Sequence, residues 1–364
     1  MRTILLLASF CAAVGLIGPR GSAQPQLQPL WSLAPGIRPY LPGSPGDNGQ
    51  RGMAYNPVTG HVLLVNRTGG LSINILDGTT GADLGSLALG SGLIAGGTFA
   101  ANMIGVGGDG AIYVGNLSLN SATTSFRLYR WSNEQALPTL AFDGTPAPGR
   151  SDGANNALRF GDTLDVRGAG AGTQVLLGSR GAAFVSILTT ADGVSFSANL
   201  VQTDAAGVAA NNGPFGLGLA FGAGDSFWGK SSGGTPLREI AFDLASSSGV
   251  TLRAIGAPTV SDNLRNLAYD AVNLPGGLLA AIDNVNHTVS LFDVSGTTPV
   301  LLDVELFPGS NANVNGTGAA DFGGGKLFAL DTNNGLVAYD IIPEPGTIGL
   351  LGAGLLLLAR RRRH

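Results

Sequence analysis

Cysteine is all but missing: of 364 residues only Cys11 carries a thiol. It lies in the N-terminal apolar run, behind bulky Phe10, where a lipid-modified signal would need a small residue. A body without cysteine has no disulfides, so packing and hydrogen bonds must hold it together, and thiol chemistry is excluded. Histidine is nearly as scarce, with His61, His287 and His364 alone. No two stand at ligand spacing, which disfavours zinc, and a Ser-His-carboxylate site has few bases to draw on. Charged residues make up 12% of the chain, lysine is confined to Lys230 and Lys326, and helical periodicity is almost absent. Glycine, by contrast, reaches 58 residues. This composition describes many short strands joined by tight turns.

The two ends differ from the body. MRTILLLASFCAAVGLIGPRGSAQ has a cation at Arg2, an apolar run from Thr3 to Ile17, breakers at Pro19 and Gly21 and small residues up to Ala23. That is the layout of a secretory signal peptide over residues 1–23, too short in its apolar run to span a membrane. At the other end stand Pro343, Glu344 and Pro345, then an apolar stretch from Thr347 to Ala359, then Arg360, Arg361, Arg362 and Arg363. Residues 343–364 resemble the PEP-CTERM sorting signal of exported bacterial proteins. The resemblance implies an exosortase-type processing enzyme that recognises the Pro-Glu-Pro.

About 13 apolar residues at ~1.5 Å each give a helix of ~20 Å, shorter than the ~30 Å hydrocarbon core, so snorkelling arginines must make up the difference. The expectation is a single C-terminal transmembrane or sorting helix. Its arginines stay on the cytoplasmic side and the body outside, anchored in the envelope or released to the surface after processing.

Residues 24–342 form the body. With both ends removed it carries a net charge of about −9 to −10, which argues against nucleic acid and anionic lipid as partners. Its main feature is a unit of about 50 residues that recurs about six times. Each unit opens on a segment with small apolar residues: GMAYNP, GTFAANMIGV, DTLDVRG, GLGLAFG, LRNLAYD and GTGAADF. A second segment follows: HVLLVN, AIYVGN, TQVLLGS, DSFWGK, GLLAAID and KLFALD. Third segments read SINILD, FRLYRW, AFVSIL, REIAFD, VSLFD and LVAYD, and the first five units add a fourth. The last lacks one, which the stretch around Leu30, Trp31 and Leu33 can supply.

Four strands per unit, with one array shared between the termini, predict an all-β fold: a six-bladed β-propeller closed by its N-terminal strand. The long interval containing GTPAPGRSDGANN leaves room for a seventh blade. A sandwich would not require so constant a repeat, and a solenoid usually has a shorter one.

GDSFWGKS at 224–231 matches the P-loop pattern, and GKSSG at 229–233 matches the nucleophile elbow. In the repeat register DSFW is a second strand and GKSSGGT the turn after it, so neither motif has the helix its chemistry needs. Ser231 should be replaceable, and His287 reads as an exposed turn residue.

In a propeller the turns between second and third strands open on the same face as the connections between units. The first set carries Asn66, Arg67, Asn116, Arg180, Lys230, Asp283, Asn284, Asp331 and Asn333. The second carries Asn48, Arg51, Asn155, Asn156, Arg159, Asn211, Asn212, Asp262, Asn263, Arg265 and Asn315. A ring of amides and arginines suits neutral hydroxylated ligands or carboxylated sugars. Asparagine's general preference for turns is the plain alternative.

No cofactor is expected. Calcium has weak support from DTNNG at 331–335 and the pair Asp283-Asn284, but the full acidic loop is missing. The function expected is a non-enzymatic, surface- or matrix-associated binding or structural propeller, with extracellular polysaccharide as a partner. The alternative is a hydrolase or lyase of glycans or lactones. It would need a metal held by several of Asp162, Asp165, Asp262, Asp283 and Asp331 within ~5 Å of one point.

Overall fold

Each repeated apolar segment of the sequence forms a strand. The computed structural model describes residues 24–343 apart from 45, 152–153, 207–212, 232 and 275. The expected signal peptide at 1–23 and sorting helix after Pro343 lie outside the described residues, as do Asn211 and Asn212. Among the described residues no helix is long and apolar enough to cross a membrane.

The N-terminal strand β1 (Pro25–Leu33) is an outer strand of a four-stranded sheet that continues through β24 (Gly335–Pro343), β23 (Lys326–Asp331) and β22 (Gly318–Gly323). A second sheet runs β2 (Gln50–Asn56), β3 (His61–Asn66), β4 (Ser72–Asp77), β5 (Asp83–Ser86). A third runs β6 (Phe99–Val106), β7 (Ile112–Leu117), β8 (Phe126–Trp131), β9 (Thr139–Gly144). An eight-stranded sheet follows. One arm is β10 (Asp165–Arg167), β11 (Gln174–Gly178), β12 (Phe184–Thr190), β13 (Phe196–Thr203); the other is β14 (Gly218–Phe221), β15 (Ser226–Lys230), β16 (Leu237–Asp243), β17 (Ser248–Ile255). The arms pair strand to strand where β13 lies parallel to β17, at Gln202–Ser248 and Thr203–Gly249. The last sheet is β18 (Leu264–Asp270), β19 (Leu278–Asp283), β20 (Thr288–Asp293), β21 (Val300–Leu306). Strands that follow one another along the chain within a sheet or arm are antiparallel hairpin partners, as in the pairing of β2 with β3 and β3 with β4.

This is an all-β, propeller-like arrangement. The strands β2, β6, β10, β14, β18 and β22 together wall one axial cavity of about 340 Å³. Their small residues follow from that crowding. A Cβ on Gly52 would stand 2.6 Å from the Ile104 nitrogen of the adjoining inner strand, and one on Gly218 would stand 2.9 Å from that of Asn266. Between β9 and β10 the described residues hold only a short 3-10 turn at Ala154–Asn156 and no strand.

Hydrophobic clusters fill the spaces between neighbouring arrays. One packs Tyr113, Phe126 and Leu128 against Val175, Phe184 and Leu188; another packs Phe215 and Phe227 against Leu176 and Ile187. A third joins Leu330 and Ala338 to Val62 and Leu64, so the sheet that holds β24 packs on the sheet that holds β2. Each fully buried aromatic or aliphatic side chain contributes roughly 1.5–3 kcal/mol.

Aspartates in the apolar strands staple the arrays to one another. Asp321 in β22 accepts the backbone N–H of Tyr55 in β2 at 2.7 Å, Asp165 in β10 that of Phe221 in β14 at 2.6 Å, and Asp303 in β21 that of Leu27 in β1 at 2.9 Å. The other oxygen of each takes the N–H of its own next residue, Phe322, Val166 or Val304. Burial pushes the carboxyl of Asp165 up to about 6 and that of Asp321 up to about 7.

Candidate functional site

The innermost strands all begin at one end of the axial cavity, and a second cavity of about 360 Å³ opens there. Arg51 reaches it from the start of β2, Phe99 from the start of β6, and Thr317 from the turn before β22. Arg159 and Asp162 come from the long connection before β10, and Arg180 from the turn after β11. That connection is clamped on both sides: Phe160 bridges Ser118, and the Arg180 N–H donates to the Arg159 carbonyl at 3.1 Å.

The cations here outnumber their partners. Arg159 grips both oxygens of Asp162 with Nε and Nη2, each at 2.7 Å. Arg51 donates from Nη1 to Thr317 Oγ1 at 3.2 Å, and its buried Nε meets no protein acceptor. Arg180 has one long contact, from Nη1 to the Gly216 carbonyl at 3.4 Å. Arg67 stacks on Phe99 with Cζ 3.3 Å from the ring centroid, donates from Nη2 to the Asn48 carbonyl, and leaves Nε and Nη1 unpaired. Burial first, and the neighbouring Arg159 as a smaller cause, pulls the Arg51 and Arg180 guanidinium groups below the usual arginine range. Burial and the charge of Arg51 bring Arg67 down to about 10. Guanidinium groups held near one another on neutral acceptors form an environment for an anion.

Of the first set of rim residues, Arg180 lines this mouth and Arg67 stacks on the Phe99 that lines it. Asn66 and Asn116 close their own turns: Asn66 donates to Ser72 Oγ and accepts from the Thr68 N–H, and Asn116 accepts from the Arg127 N–H. Lys230 is 1% exposed, with Nζ on the carbonyls of Ser231 and Thr235. Asp283 takes the N–H groups of Val285 and Asn286, both at 2.9 Å. Asp331 is fully buried and collects Nδ2 of Asn284, Asn313 and Asn334 together with Nδ1 of His287. His287 therefore differs from the exposed turn residue expected: its ring, 15% exposed, is tied at 2.8 Å to an interior carboxylate. Of the second set, Arg51, Arg159 and Asn315 line the mouth. Residues absent from either set also line it, among them Phe99 as a stacking platform, Thr317 as an acceptor for Arg51 and Asp162 as the partner of Arg159.

The five carboxylates weighed as metal ligands fall on separate elements. Asp165 is a staple along the channel wall, Asp162 is engaged by Arg159, Asp283 and Asp331 by N–H donors, and Asp262 is exposed. Among the described residues no group of three or more acidic, His or Cys side chains converges as a metal site would require. The P-loop and elbow patterns lie on β15 and the turn after it, with no helix beginning there. Gly229 is a glycine because the Phe215 ring packs where its Cβ would stand. Ser231 is fully buried.

Solved structures are similar to this one. A DUF4623 family protein from Bacteroides eggerthii superimposes with a TM-score of 0.58 at 17% identity, over 82% of this chain and 72% of that one. Regucalcin from Agrobacterium tumefaciens, described as a calcium-binding protein, gives 0.50 at 12% identity, over 87% and 96%. The PQQ-bound aldose sugar dehydrogenase of Streptomyces coelicolor gives 0.48 at 13% identity, over 88% and 99%. At such identities the likeness concerns the fold alone. No curated protein matches the sequence. Residues 342–363 match the model of the PEP-CTERM protein-sorting motif. The chain is thus an all-β propeller-like body followed by an exosortase sorting signal, an exported, envelope-associated protein.

Proposed function

We propose that this protein is a six-bladed propeller that binds an acid-bearing glycan of the cell surface or extracellular matrix at its channel mouth, without catalysis. The six-blade count treats the eight-stranded sheet as two blades touching edge to edge; its support is that each arm contributes its own inner strand to the axial cavity. The signal peptide delivers the body across the membrane, and the sorting helix holds it in the envelope until processing.

The observation that carries the binding reading is the mouth itself. Arg51, Arg159 and Arg180 share one cavity with Asp162 as their acidic neighbour, in a chain whose overall charge is negative. Arginine forks with spare donors recognise carboxylates, and a volume near the lower end of the ~300–1,000 Å³ range of small-molecule sites admits a short sugar segment. The dispersal of Asp162, Asp165, Asp262, Asp283 and Asp331 favours binding over a metal-dependent hydrolase.

Calorimetric titration with oligogalacturonate and with neutral dextran oligomers tests the proposal. Saturable binding of the acidic oligomer alone is expected, weakened by Arg51→Gln and by Arg180→Gln. Equal or absent binding of both would refute it. Cell fractionation with and without Pro343-Glu344-Pro345 tests the anchoring.

A further inference from the structure

Asp162 is the feature of the mouth that an anion site does not explain. A carboxylate set among arginines repels an incoming acid, yet here it is built in firmly. It is only 7% exposed, and its partner Arg159 stands three residues away on the same clamped connection. Both oxygens receive one N–H of Arg159, at 2.7 Å each. A carboxylate offers about four lone-pair directions, so about two are left on the side that does not face Arg159. The cavity therefore brings donors and an acceptor together: the guanidinium groups of Arg51 and Arg180 and the carboxylate of Asp162 all line it.

Resting on the reading of the mouth as an acid-binding site, we propose that Asp162 is a specificity-determining residue that accepts a ligand hydroxyl while Arg51 and Arg180 take the adjacent acid group. The ligand class is then a uronic acid or similar polyhydroxy acid. A bare carboxylate meets repulsion from Asp162 with nothing in return. Sulfate is disfavoured in the same way, because it has no hydroxyl to donate. A neutral sugar satisfies Asp162 but leaves the arginines unpaired. Sites built to bond a hydroxyl discriminate strongly against analogues that lack it, because the buried acceptor is then left without a partner.

The test is a calorimetric comparison of glucuronate, cyclohexanecarboxylate and inorganic sulfate on the full body of the protein. Wild type is expected to bind glucuronate at least about tenfold more tightly than cyclohexanecarboxylate. In Asp162→Asn the repulsion is gone and the acceptor weaker, so cyclohexanecarboxylate and sulfate gain about tenfold and the preference falls to within about threefold. If wild type binds the two organic acids equally, the proposal is overturned while the acid-site reading stands, and this holds even where Asp162→Asn fails to fold. A preference unchanged in a folded Asp162→Asn overturns it equally. If none of the three binds wild type, the acid-site reading itself falls, and the proposal with it.

Discussion

Asp165 and Asp321, along the channel wall, have both oxygens filled by backbone N–H groups, whereas Arg51 and Arg67, at the mouth, keep guanidinium N–H groups that no protein acceptor meets. The two regions bury charge within one channel, yet their hydrogen-bond accounts differ. A buried ion whose two oxygens are each held by a backbone donor belongs to the scaffold, and its removal orphans main-chain donors. A buried ion with donors left unpaired adds no such bonds to the scaffold, and its removal orphans fewer groups. Burial alone does not separate the two cases; the count of satisfied partners does.

The sharpest way to break the contrast is Asp321→Ala. It leaves the N–H groups of Tyr55 and Phe322 without acceptors between β22 and β2, and a loss of about 2–5 kcal/mol is expected in urea unfolding. Arg51→Gln and Arg180→Gln should instead leave unfolding within about 1 kcal/mol of wild type while each weakens uronate binding about tenfold to a hundredfold. Raising the salt concentration should weaken binding further. A mouth variant that melts like Asp321→Ala would erase the distinction.

The pH dependence sharpens it. Asp165 and Asp321 have folded values of about 6 and about 7, against about 3.9 for an unfolded aspartate. Between these limits the folded chain holds more protons, so their contribution is complete below about pH 4 and is lost as pH rises through 6 to 7. Asp321→Asn should flatten this decline in stability curves measured from pH 4 to 8.

Lys230, opposite Gly218 at the start of β14, is the mild counterpart. Burial, against the attraction of Asp262, brings its ammonium down to about 8, below the unfolded value of about 10.4. The unfolded chain therefore binds the extra proton in between, and stability from this group rises as pH climbs from about 8 to 10. Lys230→Met should abolish that rise, which thermal melts across the window would show. Ser231→Ala should leave ligand binding within about twofold of wild type, the smallest effect of the series.

The strand plan was legible because short apolar segments recur between turns in a unit of about 50 residues, and all six DSFW-like second segments became strands. The shared sheet at the termini was legible from a missing fourth segment, which β1 supplies beside β24. The site was only half visible. Position in the repeat marked Arg51, Arg67, Arg159 and Arg180 as facing the mouth, but it marked Asn66 and Asn116 equally, and these are consumed by their own turns. Nothing in a turn's composition tells whether an amide will bond inward or outward. Asp162 was noticed only as a metal candidate, since its pairing with Arg159 depends on how an irregular connection folds. The staples did leave a signal that went unread: an aspartate inside an apolar strand, as in LDV and ADF, is costly unless backbone donors await it.

The pairing of β1 with β24 fixes an order of events. β1 is the first of these strands to leave the ribosome and β24 the last, so the ring stays open, with bare strand edges, for almost the whole of synthesis and export. The Pro-Glu-Pro begins at Pro343, the final residue of β24. A chain cut short anywhere in the body thus loses its closing partner and its address together.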